Sequence, residues 1–235
     1  MRLLVTRPRP DAERTADLLR DAGHEPLIAP LLEIVPADPP GDVPSSDLQA
    51  FLVTSANGAR ALADATDRRD VAVFSVGDAS AAAAREAGFA QVRSADGDVD
   101  DLAALVRETL DPANGSLIHA VGSVSAGNLA RDLARSGFDA RAVVLYEARA
   151  CADLPENAAG ALAGDRLDGV LLYSPRTARS FTALVEKAGL TPKLAEIRAY
   201  CLSAAVADAL SDGVFAQVET ANRPDQAALF ELLGN

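Results

Sequence analysis

The sequence predicts an α/β protein of two similar parallel-sheet, three-layer domains joined by a two-stranded linker. Two observations carry the prediction: short apolar runs alternate with Ala- and Leu-rich segments of helical spacing, and the alternating units recur in the same order in both halves of the chain. A third sets the connectivity, because one unit of the second copy stands at the N-terminus instead of the C-terminus. At 235 residues, 49% hydrophobic and 24% charged, the chain has a globular profile and is long enough for two small domains with real cores.

Taken in order, the runs at 2–5, 50–53, 71–76, 116–121, 169–172 and 197–202 read as strands. A helical pattern follows each of them. Gly23, Gly88, Gly137 and Gly189 each close such a pattern, where a left-handed residue is needed to satisfy the last carbonyls.

FLVTSANGARAL (51–62) resembles VLLYSPRTARSF (170–181), FSVGDASAAAAREAGF (74–89) resembles YCLSAAVADALSDGVF (200–215), and DVDDLAALVRETL (98–110) resembles RPDQAALFELL (223–233). The fourth unit of the first copy, 117–148, has its counterpart in the opening segment, 2–30. The second copy is therefore circularly permuted. The expected domains are 1–34 plus 152–235 and, inserted between them, 47–146. The expected linkers are 35–46, whose prolines forbid a central strand or helix, and 147–151. Two linking segments make a hinge, with a ligand expected in the cleft between the domains.

A formal net charge of -12 argues against nucleic acid or an anionic membrane as partner, since both need clustered Lys and Arg. The opening MRLLVTRPRP has no signal-type apolar region and no stretch is long enough to span a bilayer, so a cytoplasmic location is expected. Cys151 and Cys201 lie in no metal-ligand spacing, and His24 and His119 are the only histidines. No metal site or catalytic triad is expected; both cysteines read as small buried hydrophobes.

Ligands of open parallel sheets sit beyond the carboxyl ends of strands, where helix N-termini present free N–H groups and a partial positive charge. Here those places hold Thr6, Arg7 and Pro8; Thr54 and Ser55; Gly77 and Ser80; Gly122 and Ser123; Tyr173, Ser174 and Arg176; and Ser203. Each hydroxyl is equally readable as a plain helix cap. Arg7 and Arg176 read either as forks for carboxylate pairing or as solvated surface. Tyr146, ending the strand AVVLYEA, is either a proton donor to a leaving oxygen or a strand-end tyrosine with its hydroxyl in water. No P-loop or GxGxxG is present, which argues against a nucleotide.

The opening LLVTRPRPDAERTADLLRDAGHEPLIAPLLEI, followed in order by FLVTSANGARAL, VFSVGDASAAAAREAGF, VVLYEA, GVLLYSPRTARSF and PDQAALFELL, resembles the bacterial uroporphyrinogen-III synthase family over nearly the whole chain. The resemblance implies two flavodoxin-like α/β domains and a two-stranded linker. It implies a reaction in tetrapyrrole (haem or sirohaem) biosynthesis: hydroxymethylbilane, a linear polycarboxylate, loses water and closes to uroporphyrinogen III with ring D inverted, without metal or organic cofactor. It also implies that Tyr146 assists the departing hydroxyl; with the strand-end reading, the residues expected to bind substrate are Arg7, Pro8, Thr54, Ser55, Gly77, Ser80, Gly122, Ser123, Ser174, Arg176 and Ser203. Where many family members carry a Gly-Pro-Thr-Thr-like turn, this chain has Ser203, Ala204, Ala205 and Val206; in the other domain Ser80 stands at the equivalent threonine position. A second expectation, motivated by the missing threonines, is a non-catalytic hinge protein binding a tetrapyrrole or another polyanion. With no apolar stripe left over, a monomer is the simpler expectation.

Overall fold

The structure, a computed structural model, describes the chain except residues 39–42, 44–46, 125–127, 212 and 235. Most of the expected segment 35–46 thus lies outside the described residues. In chain order, β1 (Arg2–Val5), α1 (Asp11–Asp21) and β2 (Glu25–Ile28) lead into β3 (Leu32–Pro36). Next come β4 (Leu48–Val53), α2 (Ala56–Ala65), β5 (Ala72–Ser75), α3 (Asp78–Glu86), β6 (Val92–Ser94) and α4 (Val99–Thr109). After these follow β7 (Ser116–Gly122), α5 (Leu129–Arg135) and the long β8 (Ala140–Ala150). The last third holds α6 (Glu156–Ala163), β9 (Gly169–Leu172), α7 (Pro175–Lys187), β10 (Arg198–Cys201), α8 (Ala204–Ala207), β11 (Gln217–Thr220) and α9 (Gln226–Glu231).

The chain divides into two compact units, Met1–Glu33 with Arg149–Asn235, and Ile34–Ala148. The first unit contains a parallel sheet of order β11-β10-β9-β1-β2. The second sheet has the order β3-β8-β7-β4-β5-β6, parallel from β8 through β6. Read as β6-β5-β4-β7-β8, it repeats the first strand by strand, and β1-α1-β2 fills the place of β7-α5-β8. The permuted repeat is thus a repeat in space. The unit boundaries fall inside β3 and β8, which pair in opposite directions: Ala37 N–H donates to the Leu145 carbonyl and Cys151 N–H to the Leu31 carbonyl, each at 3.0 Å. Pro36 is tolerated there because β3 is an edge strand.

Both sheets are covered on both faces, as parallel sheets must be. Along β1 and β9, alternate residues point to opposite cores. Leu4, Val170 and Leu172 pack with Ala158 of α6, Phe181 of α7 and Val206 of α8, while Leu3, Val5 and Leu171 pack with Leu19 of α1 and Leu229 of α9. The second unit repeats this: Phe51 and Val53 face α2 and α3, and Ala50 and Leu52 face α4 and α5. All four glycines expected at helix ends have positive φ, from 69° to 93°. The counterpart helices differ in length, in proportion most at α3 and α8. Where α3 runs nine residues, α8 stops after four, and the following Ala209 and Leu210 amides bond back three residues as in a 3₁₀ turn.

Candidate functional site

The carboxyl edge of each sheet has one point where successive strands leave in opposite directions, between β4 and β7 and between β9 and β1. Such a point opens a crevice between the flanking loops. In the second unit Ser55 caps α2 in extended conformation, φ −155° and ψ 155°, and its Oγ accepts from Gly58 N–H at 2.9 Å. Tyr146 reaches the same hydroxyl, with its own hydroxyl 3.1 Å from Ser55 Oγ.

Tyr146 does not end its strand, because β8 continues to Ala150. Its aim comes from a bulge. Between the pairs Val121–Val144 and Gly122–Tyr146 the register shifts, which makes Leu145 the extra residue; Leu145 turns into the core, and Tyr146 is re-aimed across the end of β7. Ser123 N–H anchors the Tyr146 carbonyl at 2.8 Å. A Cβ at position 122 would lie 2.9 Å from the ring atoms Cε2 and Cζ, so only glycine lets the ring lie there. Next to this cluster, Thr54 Oγ1 sits 3.3 Å from Nε2 of His119, a fully buried histidine whose pKa burial lowers to about 4.

The remaining predicted positions of this unit lie at the start of α3. Gly77 occupies its cap position in extended backbone, and its carbonyl accepts from Ser80 and Ala81 N–H at 3.1 and 3.0 Å. Ser80 itself is 5% exposed, packed within α3. Ser123 is exposed.

In the first unit Ser174 caps α7 with nearly the backbone angles of Ser55, φ −151° and ψ 151°, accepting from Thr177 N–H at 3.1 Å and pairing with the Thr177 hydroxyl at 2.8 Å. Arg176 sits in the first turn of that helix and is half-buried. Pro8 offers its carbonyl to Ala12 N–H at 3.1 Å. Thr6 is buried and donates to the Leu171 carbonyl. Arg7 is not solvated surface. Its guanidinium lies 4.2 Å above the centroid of the Tyr173 ring and donates to Thr15 at 3.2 Å and Gln226 at 3.0 Å, with Asp11 at 3.6 Å. Burial raises the Tyr173 pKa against the opposing pull of Arg7 and Thr15. Ser203 takes the cap position of α8, extended at φ −157°, but its side chain makes no cap bond.

Of the positions expected from the sequence, the structure brings Thr54, Ser55, Gly122, Ser123 and Tyr146 together within one unit, and in the other places Arg7 in the loop after β1 and Ser174 and Arg176 at the start of α7. The sequence reading assigned no role to His119 or to the Arg7–Tyr173–Gln226 stack. A histidine in the middle of a predicted buried strand was the available signal for the first; the second joins positions too distant in the chain for spacing to reveal. The cysteines divide as well: Cys201 is buried, with its pKa pushed up to about 12, whereas Cys151 is only partly buried.

The family model described as uroporphyrinogen-III synthase HemD matches residues 13–231. The chain belongs to the uroporphyrinogen-III synthase family. Members of that family are lyase-type cyclases acting on a small tetrapyrrole. Among solved structures, the uroporphyrinogen-III synthetase of Helicobacter pylori is similar with a TM-score of 0.64 at 16% identity, covering 99% of this chain and 98% of the other. A mutant uroporphyrinogen III synthase from the extremely thermophilic bacterium Thermus thermophilus is similar with a TM-score of 0.53 at 18% identity, covering 99% and 97%. At such identities these two show the shared uroporphyrinogen-III synthase fold. No curated protein matches the chain. Among the described residues, no helix is long and apolar enough to cross a membrane.

Proposed function

We propose that the chain cyclises hydroxymethylbilane to uroporphyrinogen III, as a hydro-lyase, with Tyr146 as proton donor to the departing hydroxyl. The observation that carries the proposal is the position of that hydroxyl, at the carboxyl edge of a sheet and on the cap of α2, in a chain that the family model matches over 13–231. In the proposed step the Tyr146 O–H bond breaks and its proton passes to the hydroxymethyl oxygen. The C–O bond then breaks with its electron pair on oxygen, and water leaves. The adjoining pyrrole nitrogen supplies the electron pair that replaces it; loss of its N–H proton to the tyrosinate gives a neutral azafulvene. Attack by the substituted carbon of ring D, reopening of the spiro intermediate and closure are isomerisations, so the overall balance is loss of water and calls for no electron acceptor.

The substrate also closes unaided to the uninverted isomer, so the protein's larger task is geometry. Positioning supplies up to about 7–11 kcal/mol in favourable systems, whereas a general acid adds about 10²–10⁴ in rate. Under this proposal the substrate's carboxylates meet, in the second unit, the helix starts at Thr54 and Ser55 and at Gly77 and the turn after β7 at Gly122 and Ser123; Ser174, Arg176 and Ser203 stand at the corresponding helix starts of the first unit, Ser203 making no cap bond of its own. Arg7 and Pro8 shape the loop after β1. A cytoplasmic monomer belongs to the same proposal. The non-catalytic binding protein is not favoured by the family match.

Incubation with freshly generated hydroxymethylbilane, followed by oxidation and chromatographic separation of the porphyrin isomers, tests the function. The type III isomer is expected in excess; the type I isomer alone, as in a protein-free control, refutes it.

A further inference from the structure

The two capping serines hold the same place in the repeat and the same backbone conformation, yet spend their hydroxyls differently. At Ser174 the hydroxyl is taken by Thr177, the third residue of its helix, at 2.8 Å. At Ser55 the third position is Gly58, which contributes only its N–H, and the hydroxyl is left for Tyr146 at 3.1 Å. Space for a side chain is also lacking there: a Cβ on Gly58 would come within 3.1 Å of the Ala120 carbonyl and 3.2 Å of Ser55 Oγ. A second glycine, Gly122, carries the Tyr146 ring.

We propose that Ser55 is a positioning residue for Tyr146, holding the tyrosine hydroxyl in place from the cap of α2 while Gly58 keeps that serine free for the task. The inference rests on the proposed acid role of Tyr146. Ser55 Oγ accepts from Gly58 N–H and still has one proton to give. Donated to the tyrosine oxygen, that proton orients the Tyr146 O–H away from Ser55, toward an outside acceptor, and stays in place to hold the charge when the tyrosine gives up its own proton. The amino end of α2 adds its partial positive charge on the same side. In the first unit Thr177 closes the equivalent serine on its own helix, so the repeat has specialised one of its two caps.

Five variants test this, with kcat and KM measured by isomer-resolved assay. Ser55→Ala is expected to lower kcat about three- to tenfold, the range for one hydrogen bond, with KM within about twofold. Ser55→Thr restores most of the loss. In a Tyr146→Phe background, Ser55→Ala produces no further drop. Asp98→Ala, which removes a cap from α4 in the same unit without touching this cluster, leaves kcat unchanged and separates cap loss from positioning. The proposal is overturned if Tyr146→Phe is slow while Ser55→Ala turns over like the parent, or if Ser55→Ala costs the same in both backgrounds. A Tyr146→Phe variant as fast as the parent overturns the acid role itself, and with it this inference.

Discussion

His119 makes the second unit sensitive to acid. Its pKa of about 4 lies below the ordinary value near 6.5 because a charged imidazole is poorly solvated in the core. Between those values the unfolded chain takes up a proton that the folded chain refuses, so stability falls as pH drops from about 6.5 to 4, by about 3 kcal/mol in all. Denaturant melts from pH 7 to 4 are expected to show this loss, and His119→Gln to flatten the curve over that window; a parallel curve for the variant assigns the acid sensitivity elsewhere. Arg7 belongs to the same scale. Its stacking on Tyr173 and its bonds to Thr15 and Gln226 tie β1, α1, β9 and α9 together, so Arg7→Ala is expected to destabilise the first unit by about 1–3 kcal/mol. An unchanged denaturation midpoint refutes that role. Of the individual candidate residues, Ser55 stands just past a strand end as its place in the sequence suggests, Tyr146 lies inside its strand instead of ending it, and the contact between the two was not legible. It depends on a bulge at Leu145, and nothing in VVLYEA marks where a register slips.

Elements were more legible than contacts. The six apolar runs all became strands, because a parallel strand buried on both faces must be apolar throughout. The short edge strands β6 and β11 escaped notice: both are mostly polar, with one side unpaired, and so lack that signature. β3 was hidden by Pro36, which argues for a loop everywhere except at an edge. The shortness of α8 was invisible for a different reason, since SAAVADAL has good helical spacing and only the tightening of its last carbonyls into three-residue bonds shows the stop. Among the caps, Asp98 is the most complete: it accepts from Asp100 and Asp101 N–H while Asp101 reaches back to its own N–H. Asp98→Ala is expected to cost about 1 kcal/mol of the second unit's stability. Equilibrium denaturation checks it, and a loss below the fitting error counts against the cap.

At the scale of the whole molecule the permutation governs. Residues 34–148 contain their own core from end to end, but the first unit places β1 between β9 and β2, flanked on both sides by hydrogen-bonded neighbours. Deleting residues 1–30 therefore removes a central strand and its covering helix from one unit only. The truncated chain is expected to keep one cooperative thermal transition, that of the second unit, and to lose the other; two surviving transitions would show that the first unit does not need β1. The same topology imposes an order of events on the ribosome. The second unit emerges whole and can fold as soon as residue 148 is clear. Leu3, Leu4 and Val5, by contrast, must wait for β9 at Gly169, a delay of roughly 8–30 s at ordinary synthesis rates. Through that interval Leu3, Leu4 and Val5 have β2 beside them but lack the strand that closes their other side, so their apolar surface stays half-covered until β9 arrives.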